Sequence, residues 1–190
     1  MIIYLHGFNS SPASHKAQLL GQYLAARGLQ ADYASPALPP WPAQAIATAE
    51  AAMAGRAPES VCFVGSSLGG YYATHLVEKH GARAVLINPA IDPDVGLRAF
   101  LGTQQNLHTG ERYELTEEHL AQWGAIRVPR VTAARYLLIV ETGDEVLDYR
   151  KAVERYRGAA QIVIEGGDHS LRSFPQHLDR ILAFSGMRSG

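Results

Sequence analysis

Residues 65–69 read Gly65-Ser66-Ser67-Leu68-Gly69, a G-x-S-x-G frame between the apolar run Val61 to Val64 and a segment of helical spacing. A serine on a sharp strand-to-helix turn is presented for nucleophilic attack, and small flanking residues let the backbone make that turn. The frame selects Ser67, because Ser66 in the same role would need glycines where Val64 and Leu68 stand. A Ser/Gly-rich turn or phosphate-cradling loop is the competing reading, and the strand-to-helix context favours the nucleophile. A serine hydroxyl is a weak nucleophile at neutral pH and must hand its proton to a base. Among eight histidines, only His169 closely follows a strand-like run, Gln161 to Ile164, which suits the chain order serine, acid, histidine. His75 and His80 fall on the helix after Ser67. His15, His108, His119 and His177 have no supporting motif, and His6 reads as structural. For the acid that orients the imidazole, Asp144 after the run Tyr136 to Val140 is the first choice. Asp92 and Asp94, after Ala84 to Ile87, remain rivals. Asp148 reads as a helix N-cap, and Asp168 as a loop residue that adjoins His169 too closely to face it. Two backbone N–H groups are candidates for holding an oxyanion: Leu68 after the serine, and Phe8 in the loop Leu5-His6-Gly7-Phe8-Asn9-Ser10.

These residues need strands and helices that bring them to one edge. Ile2 to Leu5, Val61 to Val64, Ala84 to Ile87, Tyr136 to Val140 and Gln161 to Ile164 are continuous apolar runs rather than alternating ones. Such runs predict strands covered on both faces, with Leu29 to Ala34 a weaker sixth. Cys62 lies inside one of them and reads as core packing. Between the runs, helical faces are formed by Leu20, Tyr23, Leu24 and Arg27; by residues about 43 to 56; by Tyr72, Ala73, Leu76, Val77 and His80; by Tyr149, Ala152, Val153 and Tyr156; and by Leu178, Ile181 and Leu182. Strand and helix alternating to the end predict a single domain over residues 1–190. The architecture expected is a three-layer α/β fold with a mainly parallel sheet.

One stretch breaks the rhythm. Pro89 to Ala134 holds no convincing strand, and an excursion of that length reads as a lid over a site. Its apolar residues Phe100, Leu101, Leu107, Tyr113 and Trp123 are candidates for lining a pocket, or for merely covering the sheet.

Composition narrows the classes. The 190 residues are 47% hydrophobic and 18% charged, with a formal net charge of -1. That is too apolar for a disordered chain and too neutral for one that binds nucleic acid. No apolar run approaches the roughly 20 residues that span a bilayer. Met1 to His6 has neither the basic nor the long apolar region of a secretory signal. A single cysteine excludes an internal disulfide and a cysteine-cluster metal site. The expectation is a cytoplasmic protein with a small-molecule substrate, no metal and no cofactor; the oligomeric state is not readable.

Four strings carry a closer resemblance: Leu5-His6-Gly7-Phe8-Asn9-Ser10-Ser11-Pro12, Gly65 to Thr74, Thr142 to Arg150, and Val163-Ile164-Glu165-Gly166-Gly167. With Asn88-Pro89-Ala90 and the Leu101-Gly102 to Thr109-Gly110 part of the excursion, the chain resembles α/β-hydrolases, and among them the YqiA family of small bacterial esterases. The resemblance implies a sheet of about six strands, beginning at what the general fold counts as its third. It also implies hydrolysis of carboxylic esters by a triad mapping onto Ser67, Asp144 and His169. The expected course is an acyl-enzyme, and with only the excursion to build a pocket, short to medium acyl chains are expected. Acyl-CoA thioester hydrolysis by the same residues is the nearest alternative. Arg127, Arg130 and Arg135 are the only hint of a site for CoA phosphates. A hydrolase fold that binds without turnover is the remaining one.

Overall fold

The computed structural model describes residues 1–187. In chain order the strands are β1 (Ile2–Leu5), β2 (Tyr33–Ala34), β3 (Cys62–Ser66), β4 (Arg83–Ile87), β5 (Gly102–Gln105), β6 (Arg112–Leu115), β7 (Tyr136–Glu141) and β8 (Ala160–Ile164). The helices are α1 (His15–Ala25), α2 (Pro42–Met53), α3 (Leu68–His80), α4 (Pro93–Gly96), α5 (Glu117–Ala125), α6 (Tyr149–Arg155) and α7 (Leu178–Ser185). Six strands make one sheet in the order β2-β1-β3-β4-β7-β8, every neighbouring pair parallel.

The apolar runs are continuous because both faces of this sheet are covered. Ile3, Leu5, Phe63, Leu86, Leu138 and Val140 pack with residues of α2, α3 and α6 on one face. Ile2, Tyr4, Cys62, Val64, Val85, Ile87 and Ile139 pack with α1 and α7 on the other. Side chains alternate between faces along a strand, so neighbouring residues enter opposite cores. Parallel strands put all their carboxyl ends on one edge, where α/β sheets hold their ligands. The segments that carry Ser67, Asn88, Asp144 and His169 leave the sheet at that edge.

Two expectations need correction. The weak sixth strand is only Tyr33–Ala34, because Gln30–Asp32 winds into a 3₁₀ turn instead of extending. The excursion does contain strands: β5 and β6 pair antiparallel, from Gly102 opposite Leu115 to Gln105 opposite Arg112. Their residues are mostly polar and half-covered on one side, so no apolar run announces them. The turn between them is closed by Asn106, whose Oδ1 accepts from the N–H groups of His108 and Thr109, and by Gly110 at φ 75°.

Candidate active site

Ser67 occupies the turn between β3 and α3 with φ 54° and ψ −120°. A serine in that region is strained, and such strain persists only where the surroundings over-determine it. Two glycines do so. A Cβ on Gly69 would lie 1.9 Å from Leu5 O, and one on Gly65 would lie 2.4 Å from Gly69 O. The G-x-S-x-G pattern is thus a steric requirement of α3 packing closely across β1 and β3.

His169 Nε2 lies 3.1 Å from Ser67 Oγ, and His169 Nδ1 lies 2.8 Å from Asp144 Oδ2. With Asp144 ionised, Nδ1–H donates to the carboxylate, and Nε2 is free to accept from the serine hydroxyl. The Asp144 side chain is 1% exposed, and its Oδ1 accepts from the N–H groups of Val146 and Leu147 at 2.9 and 2.8 Å. Burial alone would raise its pKa. The hydrogen bonds from His169, Leu147 and Val146 outweigh burial and hold it below the usual carboxylate range.

The rival acids are occupied elsewhere. Asp92 and Asp94 both accept from Arg127, Asp94 at 2.6 and 2.8 Å. Asp148 caps α6 by accepting from Arg150 N–H, and Asp168 accepts from Ser170 N–H and pairs with Arg172. Arg127 is therefore neutralised, and Arg135 stands 3.7 Å from Glu78; among the three arginines only the exposed Arg130 has no carboxylate partner among the described residues. Burial pushes the Cys62 thiol up to about 12, in keeping with a packed core residue.

Gly7 approaches so closely that a Cβ there would lie 3.2 Å from Ser67 Cβ. Phe8 follows it at the same cleft as Leu68. Among the described residues neither Phe8 N–H nor Leu68 N–H has a backbone acceptor, so both amides are available to an incoming oxygen. His6 shapes this loop from beneath: its Nε2 accepts from Leu38 N–H at 3.0 Å, and Nδ1 lies 3.1 Å from Gly7 O. Burial pushes its pKa down, so it remains a neutral brace. Asn9 ties the same loop to the β5–β6 hairpin, donating to Gln104 and accepting from the Tyr113 hydroxyl at 2.7 Å.

Ser67 and His169 open onto a cleft of about 900 Å³. Its apolar side is built by Phe8, Leu68, Ile91, Pro93, Leu97, Phe100, Leu107, Val146 and Leu147. Phe8 and Phe100 meet edge to face across it, with centroids 6.3 Å apart. Five candidates for lining residues thus divide. Phe100 and Leu107 line the cleft; Leu101 lies outside the lining. Tyr113 lines a neighbouring cavity of about 320 Å³ behind the Phe8 loop, shared with His6 and Tyr72.

Trp123 takes the second reading, packing in the core instead of lining the cleft. It is 1% exposed within the core, donating to the Tyr72 hydroxyl at 2.9 Å while its carbonyl accepts from the Tyr71 hydroxyl. Amphipathic spacing marks Trp123 as inward-facing, but cannot say whether inward means cleft or core. Trp123→Ala is expected to cost about 3–5 kcal/mol of stability, by urea unfolding, and to leave any substrate-size preference unchanged. A shifted preference at unaltered stability would return Trp123 to the cleft. Sequence reasoning also passed over Ile91, Pro93, Leu97, Val146 and Leu147, as well as Asn88 and Glu141. Asn88, Val146 and Leu147 fall within the strings that carry the family resemblance, and Glu141 is marked by a charge ending an apolar run.

The parallel sheet, with a strained serine at the end of its third strand, has the α/β-hydrolase fold. Mouse alpha/beta hydrolase domain-containing protein 10 matches it with a TM-score of 0.73 at 16% identity, over 96% of this chain and 87% of that one. Est1E from Butyrivibrio proteoclasticus matches with a TM-score of 0.68 at 14% identity, over 96% and 85%. The chain belongs to the family described as "Uncharacterised protein family (UPF0227)", whose profile matches residues 1–186; the YqiA-like resemblance read in the sequence agrees with that membership. A UPF0227 protein of Vibrio vulnificus strain CMCP6 is 26% identical over 189 residues, 97% of this chain and 98% of that one. Among the described residues, no helix is long and apolar enough to cross a membrane, and no cluster of side chains is arranged to hold a metal ion.

Proposed function

We propose that this protein is a serine carboxylesterase working through an acyl-enzyme. One observation carries the reading: Ser67, His169 and Asp144 form an unbroken hydrogen-bonded relay beside an apolar cleft. Ser67 Oγ attacks the ester carbonyl carbon while His169 Nε2 takes the hydroxyl proton, and Asp144 stabilises the imidazolium. The carbonyl oxygen becomes an oxyanion facing the N–H groups of Phe8 and Leu68, where one such donor is worth about 10²–10³ in kcat. Collapse of the tetrahedral species breaks the C–O bond, and the alcohol leaves with the proton from His169. Water then gives a proton to His169 and attacks the acyl carbon. The second collapse releases the carboxylic acid and returns the proton to Ser67. A structural neighbour, from a Rhodothermus marinus protein, is an esterase domain, which supports the reaction class.

The excursion roofs one side of the cleft through Ile91, Pro93, Leu97, Phe100 and Leu107. Leu107 is 83% exposed and Phe100 52%, so this side is an open wall rather than a tunnel. Each methylene laid against it gains about 0.8 kcal/mol until the wall is covered. Further carbons then stay in water and contribute nothing to the transition state. On p-nitrophenyl esters of graded length, kcat/KM is expected to rise over the first several carbons and then flatten, with short to medium chains best. Acyl-CoAs run beside them are expected to be poor substrates. A kcat/KM that climbs through sixteen carbons, or a clear preference for acyl-CoA, would replace this reading with a thioesterase. Absence of both turnover and covalent fluorophosphonate labelling of Ser67 would leave only a binding module.

A further inference from the structure

Glu141 ends β7 with its side chain buried, and the chemistry above gives it no part. A buried carboxylate is costly unless hydrogen bonds satisfy it. Here they come from one loop. Oε2 accepts from Asp168 N–H at 2.8 Å, and Oε1 accepts from Ser173 N–H at 3.0 Å and from the Ser173 hydroxyl at 2.5 Å. The carboxylate therefore grips the His169 loop on both sides of the histidine. Gly167, at φ 72°, lets the loop descend onto it, since a Cβ there would lie 2.0 Å from Glu141 Oε2.

Asn88 works beside it from the end of β4. Its Oδ1 accepts from Glu141 N–H, and its Nδ2 donates to the carbonyls of Asp168 and His169, all at 3.1 Å. The segment after Glu141 is also sewn to the strand that leads into the His169 loop. Thr142 N–H donates to Ile164 O, Gly143 N–H to Gly166 O, and Gly166 N–H to Thr142 Oγ1. Asp144 lies three residues beyond Glu141, so one strand end holds both the acid and the loop carrying the base.

We propose that Glu141, assisted by Asn88, is a positioning residue that sets the His169 imidazole against Ser67 and Asp144. The proposal rests on the triad reading and adds a requirement to it. The carboxylate touches no substrate; it acts through the peptide groups that flank His169. Without it, the N–H groups of Asp168 and Ser173 lose their buried acceptor and the loop must move to find water. A displacement of about 1 Å at such a site costs on the order of 10²-fold in rate.

Three variants test this by ester kinetics and by the low-field proton resonance that an Asp-bound histidine Nδ1–H gives, with Asp144→Asn as its negative control. Glu141→Leu removes every acceptor. It is expected to lose on the order of 10²-fold in kcat with KM within about threefold, and to lose or shift the resonance. Glu141→Gln keeps the shape and one oxygen but turns its NH₂ toward one of the two backbone N–H donors, and is expected to recover part of both, falling between wild type and Glu141→Leu. Asn88→Gly frees the two loop carbonyls without adding strain at φ 38°, and is expected to lower kcat about tenfold with KM unchanged. Wild-type kcat and resonance in Glu141→Leu, with only melting temperature lowered, would overturn positioning in favour of plain stability. A rise in KM at constant kcat would overturn it in favour of substrate contact. If Glu141→Leu does not fold, Asn88→Gly decides by the same two readouts. The resonance needs no substrate, so a protein inactive on esters still tests the role of Glu141, separately from the failure of the esterase reading.

Discussion

Ser67→Ala is expected to lower kcat for ester hydrolysis by about 10⁶, because without the nucleophile no acyl-enzyme forms and the rest of the relay has nothing to activate. Alanine is as strained as serine at φ 54°, and the variant loses one hydrogen bond, so folding stays close to wild type. Ser66→Ala is the control. Ser66 lies at the end of β3, buried in the floor of the same cleft, and His169 bonds to Ser67 Oγ instead. Most activity is therefore expected to survive its loss. Steady-state hydrolysis of a p-nitrophenyl ester, with fluorophosphonate labelling in parallel, measures both. Near-normal turnover by Ser67→Ala would end the acyl-enzyme mechanism.

Asp144→Asn is expected to lower kcat by about 10⁴. The reason is a tautomer. Asp144 Oδ1 accepts from two backbone N–H groups, so an asparagine must turn its carbonyl to them and its NH₂ group to His169. Nδ1 would then have to accept, and Nε2 would carry the proton that should come from Ser67. Asp92→Asn and Asp94→Asn are expected to stay near wild type, since both carboxylates serve Arg127. A crippled Asp92→Asn beside a healthy Asp144→Asn would place the acid after β4 instead of β7. In the wild type, the folded pKa of Asp144 lies below its unfolded value. Its contribution to stability is then fully present above about pH 4, declines as pH falls below that, and is gone once pH has fallen through the lower, folded value.

Much of this molecule was legible because central parallel strands advertise themselves. Both faces of β1, β3, β4 and β7 are buried, so runs such as Ile2 to Leu5 and Tyr136 to Val140 carry no alternation. The turn at Ser67 was legible too, because α3 crosses so close to β1 that positions 65 and 69 admit only glycine. Chain order then set Asp144 and His169 after later strands at the same edge.

What lay beyond the sequence was pairing between distant segments. The β5–β6 hairpin is short and mostly polar, and it is held to the body of the protein by Asn9, 95 residues from its partner Gln104. No local pattern records such a bond. Trp123 and Phe100 are both large apolar residues of one excursion, yet one is sealed under Tyr72 while the other faces the cleft; only the path of the chain around them separates the cases. Residue type and spacing determined the strands, the strained serine and the order of the candidate groups, because these follow from local sterics and burial. The 3.1 and 2.8 Å contacts of His169, the cleft wall and the grip of Glu141 on the histidine loop were decided by tertiary structure, because each depends on where separate strand ends meet in space.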